Sequence, residues 1–183
     1  EHLMEGAASG RSGTVSHLHF TISPQHRDLF QKEENSFAAV IAGAAGCDFK
    51  ITYSYQKQST DTLAVTPENE PYRDGSGQLL FRPGGHGALL ENLNDHDADL
   101  LFIKNIDNVV PDRSLEEIAA WKEVLAGYLL KVQSKAFSFH RMLVDGTVDH
   151  DLLKRVHAFL ETGLNVRFPG AFPGYSLEEQ MAV

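Results

Sequence analysis

Leu79-Leu-Phe-Arg82-Pro-Gly-Gly-His86-Gly87-Ala-Leu-Leu-Glu-Asn-Leu93, followed shortly by Asp99-Leu-Leu-Phe-Ile-Lys104-Asn105-Ile-Asp107-Asn108, is the stretch that decides the fold. Residues 78–82 read as a strand, Pro-Gly-Gly-His-Gly breaks it, and 88–93 read as a short helix. The apolar run 99–104 then reads as a strand buried on both faces. Strand, glycine loop, helix and strand in that order predict a βαβ-type unit. Right-handed crossover puts the loop 84–87 and the end of the second strand on one edge of the sheet. Ligands bind at that carboxyl edge in open α/β sheets. The glycine loop and Asp107 are therefore expected to face one crevice.

Each part has a chemical reason to be there. Gly84, Gly85 and Gly87 let a ligand approach bare backbone and present N–H groups at a helix N-terminus, which suits phosphate or polar base edges. His86 adds a side-chain donor. Asp107 is a carboxylate with Asn105 and Asn108 beside it to orient it or the ligand. One or two carboxylates, ligand phosphates and water are the usual shell of Mg²⁺. The plainer alternatives are a tight turn at the glycines, a turn or helix entry at Asn-Ile-Asp-Asn, and a surface histidine.

Working outward, 15–22 alternates, with Leu18, Phe20 and Ile22 on one side and His17, His19 and Thr21 on the other, the pattern of a strand. Ser23-Pro24 opens a helix that runs to about Ala45, where Gly46 supplies the C-cap. Residues 49–55 form the next strand, 57–77 are polar with a short strand at 63–65, and Asp74-Gly75 is turn chemistry. The glycine-rich segment 6–14 follows no apolar strand and reads as a surface loop. After Pro111 the texture becomes helical. Ser114 and Glu117 form a capping box, and Ile118, Trp121, Leu125, Tyr128, Val132, Ala136, Phe139 and Leu143 keep helical spacing as a packing surface. Further helices are expected over 149–162 and from Ser176, whose partner Glu179 makes a second capping box. The irregular aromatic loop 168–174 separates them. Alternating strands and helices give an α/β sheet with a helical appendage: one unit, 1–183, with an α/β core over 1–110 and a helical region over 111–183.

Composition narrows the class. Sixteen Lys and Arg against twenty-five Asp and Glu leave a net charge of −9, which argues against a general grip on nucleic acid. The single cysteine, Cys47, excludes an internal disulfide and a Cys-X-X-Cys site and reads as a small buried residue. No apolar run is long enough to span a bilayer, so a cytoplasmic protein is expected. Two minor candidates are the His17/His19 pair as metal ligands and His96 with Asp99 in a turn. A Walker loop, a Gly-X-Ser-X-Gly elbow and a His-Glu-X-X-His motif are all absent from the sequence.

Arg82-Pro-Gly-Gly-His-Gly-Ala88 followed by Phe102-Ile-Lys-Asn-Ile-Asp-Asn-Val109 resembles the UDP-sugar pyrophosphorylase family of nucleotidyltransferases. Those enzymes carry Pro-Pro-Gly-His-Gly-Asp, a helix, and a strand ending Ser-Asn-Ile-Asp-Asn-Leu. The chain is closer still to an uncharacterised bacterial family, domain of unknown function 4301, in which Phe-Arg-Pro-Gly-Gly-His-Gly-Ala and Lys-Asn-Ile-Asp-Asn-Val-Val-Pro-Asp occur together. The first resemblance covers about thirty residues by the motifs quoted above, the second most of the chain.

The first resemblance implies a Rossmann-like nucleotide-diphospho-sugar transferase fold of GT-A type, a mixed sheet with flanking helices. It implies nucleotide contacts at Gly84, Gly85, His86, Gly87 and Gln56, and Mg²⁺ on Asp107. It further implies Asn105 and Asn108 shaping the metal or sugar site. Lys104, where those enzymes have serine, is a candidate catalytic residue beside Asp107, placed near phosphate; the alternative is that its stem packs while the ammonium meets solvent. The implied reaction joins a nucleoside triphosphate to a sugar 1-phosphate and releases pyrophosphate. Departures are Gly84 for proline, Ala88 for aspartate and Lys104 for serine. The phosphate-cradling loop of these enzymes has no counterpart in 6–14, so the chain is expected to be the middle portion of a larger domain and inactive alone. The alternative is a non-catalytic nucleotide- or nucleotide-sugar-binding module.

Overall fold

The alternation over 15–22 does build a central strand, and the rest of the first unit is arranged about it. In the computed structural model, which describes residues 1–146 and 148–182, the chain opens with helix α1, His2–Ser9. Strands β1 (Arg11–Ser12) and β2 (Val15–Thr21) then pair antiparallel around Gly13, whose positive φ of 64° suits glycine. The sequence expectation of a surface loop over 6–14 is thus wrong. Gly6 lies so close to β2 that a Cβ there would come within 2.9 Å of Leu18 Cδ2. These small residues serve close helix–strand packing, not flexibility.

From β2 the chain passes Pro24 at the start of a 3-10 turn and enters α2, Arg27–Ala45, which ends on Gly46 in the left-handed conformation. It returns as β3, Asp48–Ser54, parallel to β2, with Leu18 beside Ile51 and Phe20 beside Tyr53. Phe20, Phe30 of α2 and Tyr53 pack with ring centroids 5.6–6.1 Å apart on one face of the sheet. The opposite face carries His17, His19, Thr21, Lys50, Thr52 and Ser54, as the register requires.

A polar meander follows, in which β4 (Thr62–Leu63) pairs antiparallel with β5 (Phe81–Arg82), and Val65–Pro71 and Arg73–Leu79 form single bridges. Asp74 closes its turn by accepting from the backbone N–H of Ser76 and Gln78 at 2.9 and 3.0 Å. The short helix α3, Leu90–Asn94, comes next. The expected βαβ unit over 79–104 does not form. β5 belongs to the two-stranded sheet with β4, and 99–104 is irregular. An apolar run states that a segment favours burial, but not which strand will supply its ladder. The βαβ unit present is β2–α2–β3, and the mixed α/β class stands on that.

By its internal contacts the chain divides into two units, Glu1–Lys122 and Glu123–Val183, and α4 (Leu115–Asp145) runs across the division. In the second unit α4 packs on α5 (His150–Leu164) through Phe139, Leu152, Val156 and Phe159, with Val132 and Ala136 alongside. Asp149 caps α5 by accepting from Leu152 N–H at 2.7 Å. Phe168 and Phe172 stack on each other and pack with tilted rings against His157, and the Ser176–Glu179 capping box begins α6 (Leu177–Ala182). Two expectations for α4 fail. Ser114 and Glu117 make no capping bond among the described residues, and the packing stripe is buried only in its C-terminal half. Trp121, Leu125 and Tyr128 are exposed.

Candidate functional site

The carboxyl edge of β2–α2–β3 is where this topology favours a ligand. Beyond the end of β3 the chain continues through Tyr55 to Gln56, whose amide donates to Asp61 Oδ1 at 3.1 Å. Gly84 comes from far along the chain to the same place. A Cβ on Gly84 would lie 3.0 Å from Ala88 Cβ, 3.1 Å from the Thr60 carbonyl and 3.7 Å from Gln56 Nε2. Glycine is needed there for close approach, since its φ is not in the left-handed region. Gly85 then precedes the 3-10 turn His86–Leu89, closed by Ala88 N–H to the Gly85 carbonyl at 2.9 Å. His86 is exposed, and side chains at Gly85 or Gly87 would meet open space.

Asn92 on α3 fixes this loop to the sheet. Its buried amide donates to the Tyr55 carbonyl at 2.8 Å and to Ser54 Oγ at 3.0 Å. Ser54 also meets His19 Nε2 at 2.8 Å and Thr21 Oγ at 3.1 Å, and His19 Nδ1 meets Thr52 Oγ at 2.8 Å. Thr52 Oγ1 donates to the Leu18 carbonyl at 3.4 Å, so it accepts from His19 Nδ1, and His19 Nε2 then accepts from Ser54. His96 packs edge-on against His19 at 4.1 Å. Burial, and then the charge of His96, lowers the His19 pKa, which favours the neutral ring this network needs. The two minor histidine candidates therefore meet, with His19 bound to hydroxyls.

On the α2 side, Arg27 lies 4.0 Å over the Tyr53 ring in a cleft of about 420 Å³. The Tyr53 hydroxyl donates to Glu34 at 2.9 Å. Burial and that bond push the hydroxyl up to about 12.

The second motif lies against α1. Asn105–Asn108 is a turn closed by Asn108 N–H to the Asn105 carbonyl at 3.1 Å, with Asn105, Asp107 and Asn108 exposed. His2 Nε2 meets the Ile106 carbonyl at 2.7 Å. Lys104 is bound to Glu5, and Lys122 of α4 binds the other oxygen of the same carboxylate. Among the described residues no hydrogen bond joins the glycine loop to the Asn105–Asn108 turn, and Asp107 has no side-chain partner.

These residues lie in a chain whose whole length, residues 1–183, matches the family described as Domain of unknown function (DUF4301). The chain belongs to that family. No curated protein and no solved structure matches it. Family membership bears out the second resemblance drawn from Phe81-Arg-Pro-Gly-Gly-His-Gly-Ala88 and Lys104-Asn-Ile-Asp-Asn-Val-Val-Pro-Asp112. No helix of the described residues is long and apolar enough to cross a membrane.

Of the residues expected at the site, Gln56 and Gly84 come together, with Gly85, His86 and Gly87 continuing from them. Lys104, Asn105, Asp107 and Asn108 form a second group at α1, so the expectation of one crevice shared by the glycine loop and Asp107 loses its basis: the βαβ unit over 79–104 that predicted it does not form. Sequence reasoning missed Asn92, Glu5 and Lys122. An acid inside Leu3-Met-Glu-Gly-Ala-Ala8 was the available signal for Glu5, because a carboxylate in apolar surroundings needs a cation. Asn92 and Lys122 carry no such local mark.

Proposed function

We propose that this chain carries the nucleotide-binding centre of a sugar-1-phosphate nucleotidyltransferase, on a Rossmann-like sheet of the nucleotide-diphospho-sugar transferase (GT-A) type. The observation that supports the reading is the convergence of Gln56 and the glycine loop beside the carboxyl end of β3 in a parallel βαβ unit. Bare backbone at Gly85 and Gly87, where a side chain would meet open space, suits approach by phosphate or base edges, and the His86 ring and Gln56 amide add donors. The reaction forms a bond from a sugar-phosphate oxygen to the α-phosphorus of a nucleoside triphosphate. The bond from that phosphorus to the bridging oxygen of the leaving pyrophosphate breaks. Positioning and charge neutralisation supply the catalysis.

Mg²⁺ belongs to this reading, and Asp107 fits it. An exposed carboxylate without a protein partner among the described residues suits an ion held by one carboxylate, ligand phosphates and water. When bound, the ion neutralises phosphate charge. Asn105 and Asn108 flank it in the same turn and offer amides to water or sugar hydroxyls. The second reading, a non-catalytic nucleotide- or nucleotide-sugar-binding module, is favoured by Lys104, whose ammonium is engaged by Glu5.

Titration with nucleoside triphosphates, with and without Mg²⁺, tests Asp107. Wild-type affinity is expected to rise at least about tenfold with Mg²⁺, because a hard dication needs the carboxylate. Asp107→Asn should keep the thermal midpoint and lose that rise. Equal metal dependence in the two proteins removes Asp107 from the site.

A further inference from the structure

We infer that Lys104 and Lys122, held by Glu5, form a binding site for the phosphate group of a small anionic molecule. The inference shares Lys104 with the reading above but rests on this cluster alone.

Glu5 is buried, and each of its carboxylate oxygens takes one ammonium: Oε2 from Lys104 and Oε1 from Lys122. One negative charge cannot balance two positive ones, so the cluster keeps a net positive charge in a chain whose total is −9. The two lysine side chains are only 20% and 22% exposed, so water screens that charge less than at an open surface. They are nevertheless open enough for a small ion to reach. The Phe102 ring, 5.4 Å from Lys122 Nζ, covers part of the remaining approach.

The hydrogen-bond count leads to the same ligand. An ammonium has three N–H donors, and Glu5 uses one from each lysine. The remaining donors flank a carboxylate that holds the two nitrogens close together, a spacing suited to the several oxygens of a tetrahedral anion. Lysine binds phosphate as a compact point charge, so this pair needs no planar, bidentate partner. Glu5 is then a positioning residue. It holds both lysines in place and leaves one charge for the ligand to balance. A simple structural staple would need only one lysine.

Inorganic pyrophosphate, titrated calorimetrically at low ionic strength without nucleotide or Mg²⁺, is the probe, with orthophosphate and a sugar 1-phosphate run in parallel. The wild type is expected to bind one pyrophosphate saturably. Lys122→Met and Lys104→Met should each weaken it about tenfold or more, and Lys122→Arg by no more than about threefold, as the point-charge mode predicts. Exposed Lys32→Met on α2 should leave binding unchanged. Tighter binding of the sugar 1-phosphate than of pyrophosphate would identify a monoester as the occupant. Absence of saturable binding of any of the three to the wild type overturns the site. So does equal weakening by Lys32→Met and Lys122→Met, the signature of general charge. The nucleotide titration is unaffected by either failure.

Discussion

Glu5→Gln is expected to lower the thermal midpoint by about 4–8 °C at pH 7, and the loss should shrink as the solution is acidified. Removing one member of a buried ion pair costs roughly 3–5 kcal/mol when the charges left behind are fully buried. Lys104 and Lys122 keep about a fifth of their exposure, so part of their charge returns to water and about 2 kcal/mol remains. For a chain of this size each kcal/mol moves the midpoint by roughly 2–4 °C. The pH dependence follows from the direction of the Glu5 shift. Burial raises its pKa, but the hydrogen bonds and charges of Lys104 and Lys122 outweigh burial and hold it below the ordinary 4.5. A carboxyl lowered in the folded state stabilises the protein above its unfolded value, and that stability is lost as pH falls through the folded value. The gap between wild type and Glu5→Gln should thus be full at pH 6–7 and narrow below about pH 4.5. Thermal scans by circular dichroism from pH 7 to 3 check this. A gap independent of pH, or none at all, removes the charge triad from the account.

Asn92→Ala is expected to be at least as damaging, lowering the midpoint by about 5–10 °C and weakening nucleotide binding about tenfold or more. The side chain is buried and gives both N–H groups to the end of β3, one to Tyr55 and one to Ser54. Truncation leaves a carbonyl without its donor and takes a donor from the Ser54–His19 network, a cost of about 2–3 kcal/mol. It also releases α3, and with it the loop that α3 follows, from the sheet. Thermal scans and nucleotide titration on the same sample separate the two effects. A midpoint within about 1 °C of wild type would show that the loop is held by something else.

The parts of the fold legible in the sequence are those that local chemistry dictates. Alternation gave β2, Ser23-Pro24 and Gly46 bracketed α2, and Asp149 and Ser176 began the last two helices. Misreadings came where a partner distant in sequence decides the outcome. The run 99–104 is apolar enough for a strand, but no neighbouring backbone among the described residues pairs with it. Gly6, Ala7 and Ala8 look like loop residues until Leu18 is seen packed on Gly6. The same limit applies to the candidate site. The glycine loop announced itself by composition, whereas its meeting with Gln56 depends on the meander between them. Glu5 reaches lysines 99 and 117 positions away, a separation that no local pattern encodes.

The most direct measurement is amide-resonance mapping by two-dimensional NMR while a nucleoside triphosphate is added in the presence of Mg²⁺. The account predicts saturable shifts at Gly85, His86 and Gly87 and at the Gln56 side-chain amide, with the same midpoint for all four. Saturable binding that leaves these four signals unmoved, or no binding at all, would contradict it.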